Sequence, residues 1–330
     1  MNNKASERCH AWRPKLWQAI LAVVLSAACW GLATVMTKDA LSAVPPFLML
    51  TMQLSASIAF LWLAVGVTQQ TVQLDKRATR LALSGVLEPG LSYGVGVPGL
   101  ALTSAASASV IGATETALVT LFAWLLLKER LKLRLLVMIV VAMGGVMLIT
   151  ASAAEGVGRG SAAGNLLVLL GTVFAALYVI NSRVLIADVA PLPLAALQQS
   201  VGFVFALLLL IGSWLFGLEH LPESIPAWLI FLALASGVVQ YALAFWFYLI
   251  GLQVLPAGTA AAILTLIPVF GVSGAMVFLG EGLTPPQWLG CTIVIAATAA
   301  MTLLVKKEKE EGAAECDMHD RSRGGRQILP

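Results

Sequence analysis

Residues 83–131, LSGVLEPGLSYGVGVPGLALTSAASASVIGATETALVTLFAWLLLKERL, decide the fold, because much of this stretch returns 152 residues further on. Ser84-Gly85-Val86 recurs as Ser236-Gly237-Val238, Gly99-Leu100 as Gly251-Leu252, and Glu129 and Leu131 as Glu281 and Leu283. Two apolar stretches rich in Ala and Leu agree by chance at some positions, so the Ser-Gly-Val triplet and the Glu-x-Leu ending carry the weight. The chain is a duplicated unit, and a repeat fixes the architecture of everything around it.

Composition sets the class. Of 330 residues, 59% are hydrophobic and 11% charged, with a mean hydropathy of +0.90, against roughly 25% charged and 45–50% apolar in a soluble domain. The chain therefore reads as a polytopic membrane protein whose first partner is the lipid bilayer. A net charge of +3, concentrated in loops and tails, gives no footprint for nucleic acid. Cys9, Cys29, Cys291 and Cys316 have no short paired spacing, and His10, His220 and His319 lie outside the apolar runs. No disulfide framework, metal site or cofactor is expected.

Lys4, Arg8, Arg13 and Lys15 precede the apolar run 16–36. That run is nearer the ~20 residues of a span than the 7–15 of a signal core, so it is read as retained. Further spans fall at 47–67, 79–99, 104–126, 133–151, 164–186, 195–216, 227–249, 258–279 and 287–305, which makes ten. With the N-terminus inside, eighteen of the twenty Lys and Arg fall on the cytoplasmic side and only Lys38 and Arg159 outside, the expected bias. Both termini are thus expected in the cytoplasm, with the protein in the cell (inner) membrane.

Five spans per unit is an odd number, so the second unit enters the membrane upside down relative to the first. The charges agree: Lys128, Arg130, Lys132 and Arg134 become Gly280, Gly282, Thr284 and Pro286 in the second unit. The expected fold is all-α, ten transmembrane helices as two inverted five-helix repeats. Its parts are a tail at 1–15, repeats at 16–151 and 164–305, a Gly/Ala/Ser linker at 152–163, and a disordered charged tail at 306–330.

A carboxylate in the hydrocarbon core costs at least ~2.5–3.5 kcal/mol, so it persists where it is wet or buried in protein and usually has a task. Glu88 in the third span and Glu115 in the fourth are the two such residues, and the repeat replaces them with Gln240 and Ile267. Any coupling through carboxylates is therefore one-sided. A desolvated carboxylate can take up and release a proton as access alternates, and a cationic or zwitterionic substrate competes for the same charge. The plain alternative is a protonated Glu hydrogen-bonded to a neighbouring helix.

Pro89 and Gly90 predict a helix break beside Glu88, because Pro removes a backbone donor. Backbone groups freed inside a bilayer must line a cavity or be buried. Tyr241, Phe245 and Tyr248 share a face of the eighth span and offer an aromatic wall, or simple packing. Trp30, Gln53, Tyr93, Tyr178 and Asn181 are further polar candidates for the same cavity. Thr116 aligns with Pro268, which predicts a second break and halves that bend differently at this point. Ala108, Gly112 and Thr116 form a small-residue stripe suited to a close helix crossing.

Trp30-Gly31 followed by Lys38, Ala176-Leu177-Tyr178 followed by Arg183, and helices ending in LLLKERL (125–131) and VFLGEGL (277–283) resemble the EamA family of the drug/metabolite transporter superfamily over residues 16–305. The resemblance implies a secondary transporter, often an exporter of amino acids or other small metabolites, working by alternating access. LEPG at 87–90 departs from the general family pattern, which leaves substrate and coupling open.

A membrane-embedded enzyme would need a nucleophile–base pair or metal ligands in the spans, and the spans supply none. A receptor would need a sizeable soluble domain, and no internal loop exceeds about a dozen residues. The leading reading is a carrier for a small-molecule substrate, acting as a monomer or homodimer. A channel-like facilitator, or a non-transport membrane protein of the same fold, is the alternative.

Overall fold

The computed structural model describes residues 15–70, 76–127, 133–153, 161–182, 190–255 and, between 260 and 304, all but 261, 262, 265, 298, 301 and 302. The two tails, apart from Lys15, lie outside the described residues, as do most of the linker, Arg183 and the 128–132 segment with its Glu129. Every regular element among the described residues is helical. Apolar runs with few charges dictate this, since a backbone that meets lipid must satisfy its own hydrogen bonds.

Helix α1 spans Leu16–Ala40 and α2 Pro46–Val67. A third rod begins as α3 (Lys76–Leu83), tightens to a 3₁₀ turn at Ser84–Val86, loosens to a π segment at Leu87–Leu91 and continues as α4 (Ser92–Leu102). A fourth is split into α5 (Ala105–Gly112) and α6 (Glu115–Leu127). After α7 (Leu133–Ala153) come α8 (Ala162–Ser182) and α9 (Pro191–Leu215). Then α10 (Ala227–Gly237) passes through a π segment (Val238–Leu243) into α11 (Ala244–Leu252), followed by α12 (Ile267–Phe278) and α13 (285–297).

Among the described residues six runs are long and apolar enough to cross a membrane: Leu16–Ala40, Pro46–Val67, Ala105–Leu126, Ala162–Asn181, Pro191–Leu215 and Ala227–Gly251, with shorter apolar helices at Leu136–Leu148 and Ile267–Phe278. Leu63, Val67, Leu133, Met147, Phe231, Val277 and Phe278 are each more than two-thirds exposed. So much outward apolar surface suits lipid and not water.

Helix ends follow local chemistry. Prolines stand at the start of α2 and α9, where the missing N–H costs nothing. Ser104 caps α5, its hydroxyl accepting from the Ser107 N–H at 3.0 Å. Gly217 (φ +66°) and Gly280 (φ +63°) turn the chain after α9 and α12 in the left-handed conformation that a side chain would disfavour.

The packing between the two sequence repeats comes in reciprocal sets. The α4 segment packs on α8, as α11 packs on α1; α6 meets α8, as α12 meets α1. The α3 rod runs against α9, as the α10 rod runs against α2, while α2 with α9 and α5 with α12 close the interface. Two close approaches show the matching in detail. A Cβ on Gly237 would sit 2.5 Å from Gln53 Cα and 2.7 Å from its carbonyl carbon, and one on Gly85 would sit 3.0 Å from the Gln198 carbonyl carbon. Beside them Gln53 Nε2 donates to Ser236 Oγ (2.9 Å) and Gln198 Nε2 to Ser84 Oγ (3.1 Å). Each serine in turn donates to the carbonyl three residues earlier, Ala233 and Leu81. The same amide–serine–glycine contact is thus built twice.

One expectation needs correction. Thr116 and Pro268 suggested that the two halves bend differently, yet both rods are interrupted just before these residues, by turns at 113–114 and at 266. Pro268 falls at the start of α12, where it lacks no internal partner. Proline therefore marks the break in one half, and the other half breaks without one.

Candidate functional site

Both helix breaks in the first repeat carry an acid. Glu88 leaves helical geometry (φ −142°, ψ 120°) inside the π segment, with Pro89 contributing no N–H. The Pro89 ring is seated against α9, where a Cβ on Gly202 would lie 2.8 Å from its Cδ. Extra-residue turns of this kind often occur at functional sites. Glu115 is the first residue of α6, where the helix dipole favours negative charge.

The two breaks face one region of the molecule. Glu115 lies within electrostatic reach of Glu88, Glu88 is 9% exposed, and Glu115 is half-buried. Glu88 and Glu115 both act on Tyr93 and Tyr248, and Glu88 acts on Tyr241. Around them the Tyr93 and Tyr241 rings meet edge-on with centroids 4.7 Å apart. Trp30 meets Phe245 at 5.2 Å and Tyr248 at 5.8 Å, also edge-on. Such pairs form a stiff aromatic wall, worth about 0.5–1.5 kcal/mol each beyond area burial.

Gln240, the repeat counterpart of Glu88, is buried in the equivalent π segment. Its Oε1 accepts from the Thr37 hydroxyl at 3.2 Å, Thr37 in turn accepts from Gln53 Nε2 at 2.8 Å, and its amide faces the Tyr93 hydroxyl. The site therefore has a charged wall from the first repeat and a neutral amide wall from the second. Trp30 Nε1 is buried and faces the same Tyr93 hydroxyl, while the Tyr241 hydroxyl is buried without a hydrogen-bond partner.

Glu88, Glu115, Trp30, Tyr93, Gln240 and Tyr241 thus gather in one place. Tyr178 joins a different network, donating to Gln198 Oε1 at 3.2 Å beside the Ser84 contact. Asn181 is exposed. Pro89 and Gly90 lie at the Glu88 break and Pro268 at the start of α12.

A second polar cluster went unread in the sequence, at the ends of the helices. Lys38 Nζ donates to the last carbonyls of α4, Leu100 (3.0 Å) and Ala101 (3.1 Å). Glu281, presented by the Gly280 turn, accepts from the first N–H groups of α5, Ala105 and Ala106, at 3.0 Å each. Cation at a helix C-terminus and anion at an N-terminus each complement the dipole. Glu219, in the loop after α9, likewise accepts from the Phe47 N–H of α2 at 2.9 Å. Burial pushes its carboxyl above the ordinary range, with the Phe47 and Leu48 N–H groups pulling the other way.

Comparison with known proteins agrees with this architecture. A solved crystal structure superposes with a TM-score of 0.60 over 88% of this chain and 98% of its own, at 19% identity, a likeness of fold. The uncharacterized transporter YvbV of Bacillus subtilis (strain 168) is 26% identical over 94% of this chain and 98% of its own length. The threonine/homoserine exporter RhtA of Escherichia coli (strain K12) is 37% identical over a shorter segment, 24% of this chain and 27% of its own. The EamA-like transporter family matches twice, at residues 17–151 and 162–303. Two family repeats, an all-helical chain with apolar spans and transporter relatives lead to one conclusion: this multi-pass membrane protein belongs to the EamA-like transporter family.

Proposed function

We propose that the protein is a secondary transporter that exports a small metabolite, an amino acid or amine, across the cell (inner) membrane by alternating access, exchanging it for protons at Glu88 and Glu115. Its frame is ten transmembrane helices in two inverted five-helix repeats, 16–151 and 164–305, with both termini cytoplasmic. The reciprocal packing and the paired helix interruptions support that frame, since a two-fold relation between halves predicts both.

The observation that carries the reading is two acids within electrostatic reach of each other at two helix breaks, in span interiors otherwise free of charge. Two carboxylates within electrostatic reach in a low-dielectric site repel, so the site can hold a proton or a substrate cation but gains little from standing empty. Export then alternates occupancy: a cationic group enters from the cytoplasm, displaces a proton, and is displaced by one on the other side. At one end Glu281 of the second repeat holds the start of α5 in the first, beside the Lys38 contact to α4 within the first repeat, and the cross-repeat contact must yield when that end opens.

RhtA carries threonine and homoserine in its name, which supports keeping amino acids beside amines as candidates. The test is flux of radiolabelled amino acids and amines in proteoliposomes under an imposed pH gradient. The gradient accelerates flux in the native protein, and Glu88→Gln with Glu115→Gln removes that acceleration. Full gradient-driven activity in the double variant overturns the coupling.

A further inference from the structure

The charge inventory of the site narrows the substrate beyond the reading above, on which this inference rests. We infer that the site between Glu88 and Gln240 selects an organic amine that carries a neutral hydrogen-bond acceptor and no carboxylate, an amino alcohol in preference to an amino acid.

The first observation is what the spans lack. Lys and Arg lie in the tails, the loops and the helix ends, and none stands in the interior of a span. Lys38, at the last turn of α1, spends its ammonium on the carbonyls of Leu100 and Ala101. A substrate carboxylate entering beside Glu88 and Glu115 would meet two like charges and no basic side chain to pair with. A buried charge without a partner is among the costliest arrangements in a protein.

The second observation is independent of the acids and points to a ligand. Tyr241 is 0% exposed, its ring rests on Tyr93, its hydroxyl lacks any partner, and it lies within reach of the Glu88 charge. Trp30, at the other side of the aromatic wall, turns its buried Nε1 toward the Tyr93 hydroxyl, so Tyr241 is the group left over. A buried hydroxyl of this kind is nearly always satisfied in a working protein. A hydroxyl or ether oxygen satisfies it without adding charge, and the ammonium of the same molecule reaches the carboxylates. The aromatic faces of Tyr93, Tyr248 and Trp30 add attraction for a cation.

The test compares two matched pairs in proteoliposomes: leucinol against leucine, and phenylalaninol against phenylalanine, each measured as pH-gradient-driven flux in the native protein, in Glu88→Gln and in Tyr241→Phe. The amino alcohols should exceed their amino acids in kcat/KM by roughly tenfold or more, the equivalent of about 1.4 kcal/mol. Glu88→Gln should abolish that flux, and Tyr241→Phe should erode leucinol flux while leaving isoamylamine, which has no acceptor, unaffected. Glu88-dependent flux of leucine or phenylalanine equal to that of its alcohol overturns the inference and leaves the transport reading standing. Absence of Glu88-dependent flux for all four probes overturns the inference and counts against proton coupling as well.

Discussion

The contact of Gly237 with Gln53 offers the most quantitative test of the fold. Replacing Gly237 with Ala places a methyl group 2.5 Å from Gln53 Cα and 2.7 Å from its carbonyl carbon, atoms of a helix backbone that cannot rotate aside. Ordinary carbon contacts sit near 3.5–4.0 Å, so α2 and α10 must separate by about 1 Å along this line. Overpacking of this kind costs typically 1–3 kcal/mol. The separation also stretches the Gln53–Ser236 hydrogen bond, now 2.9 Å, worth about 1 kcal/mol. A destabilisation of roughly 3 kcal/mol corresponds to a fall in Tm of about 6–12 °C, at roughly 2–4 °C per kcal/mol. The assay is thermal unfolding in detergent micelles followed by fluorescence-detected size exclusion. Gly66→Ala and Gly212→Ala serve as controls, because a Cβ at either meets nothing within 4 Å and Ala favours a helix by up to about 1 kcal/mol. Gly85→Ala, whose methyl group meets the Gln198 backbone, should fall with Gly237→Ala. A Gly237→Ala protein as stable as Gly66→Ala refutes the packing argument.

Other consequences follow from the charged helix ends and the amide contacts. Glu281→Gln keeps the shape but gives up charge-assisted bonds to Ala105 and Ala106, and should cost about 1.5–3 kcal/mol in the same unfolding assay; no loss means these bonds do not hold the end. Gln198→Leu leaves the Ser84 hydroxyl and the Tyr178 hydroxyl without their amide partner, and should lower stability by about 1–3 kcal/mol. The raised carboxyl of Glu219 means the folded protein binds its proton more tightly than the unfolded chain. Its contribution is therefore present below about pH 4, the unfolded value, and is lost as pH rises through the folded value. Glu219→Gln should flatten that decline in a Tm-against-pH series, and an unchanged slope contradicts it.

Much of this was legible in residues alone. A chain with 11% charge has to be membrane-embedded, and a Pro one residue after Glu88 has to interrupt a helix, because the missing donor and the ring act locally. The acids stood out for the same reason, as charges in an apolar run. The break before Glu115 did not, since Ala113-Thr114 has no residue that forbids a helix. The paired Gln53 and Gln198 contacts were hidden by an offset. The stretch at 83–131 repeats after 152 residues, whereas the helices that start at Pro46 and Pro191 repeat after 145, so a single register sets Gln53 on Phe205. Lys38 and Glu281 were visible as motif residues, but their partners are backbone groups, which no side-chain pattern reports.

The central claim is that solute and proton share the Glu88–Glu115 site. The most direct measurement reverses the usual experiment: a solute gradient is imposed on proteoliposomes with no initial pH difference, and lumenal pH is followed with a trapped dye. Solute leaving the vesicles should draw protons inward and acidify the lumen in the native protein, while the Glu88→Gln, Glu115→Gln double variant shows no such change. Solute movement with no pH change in the native protein, or an undiminished pH change in the double variant, contradicts the account.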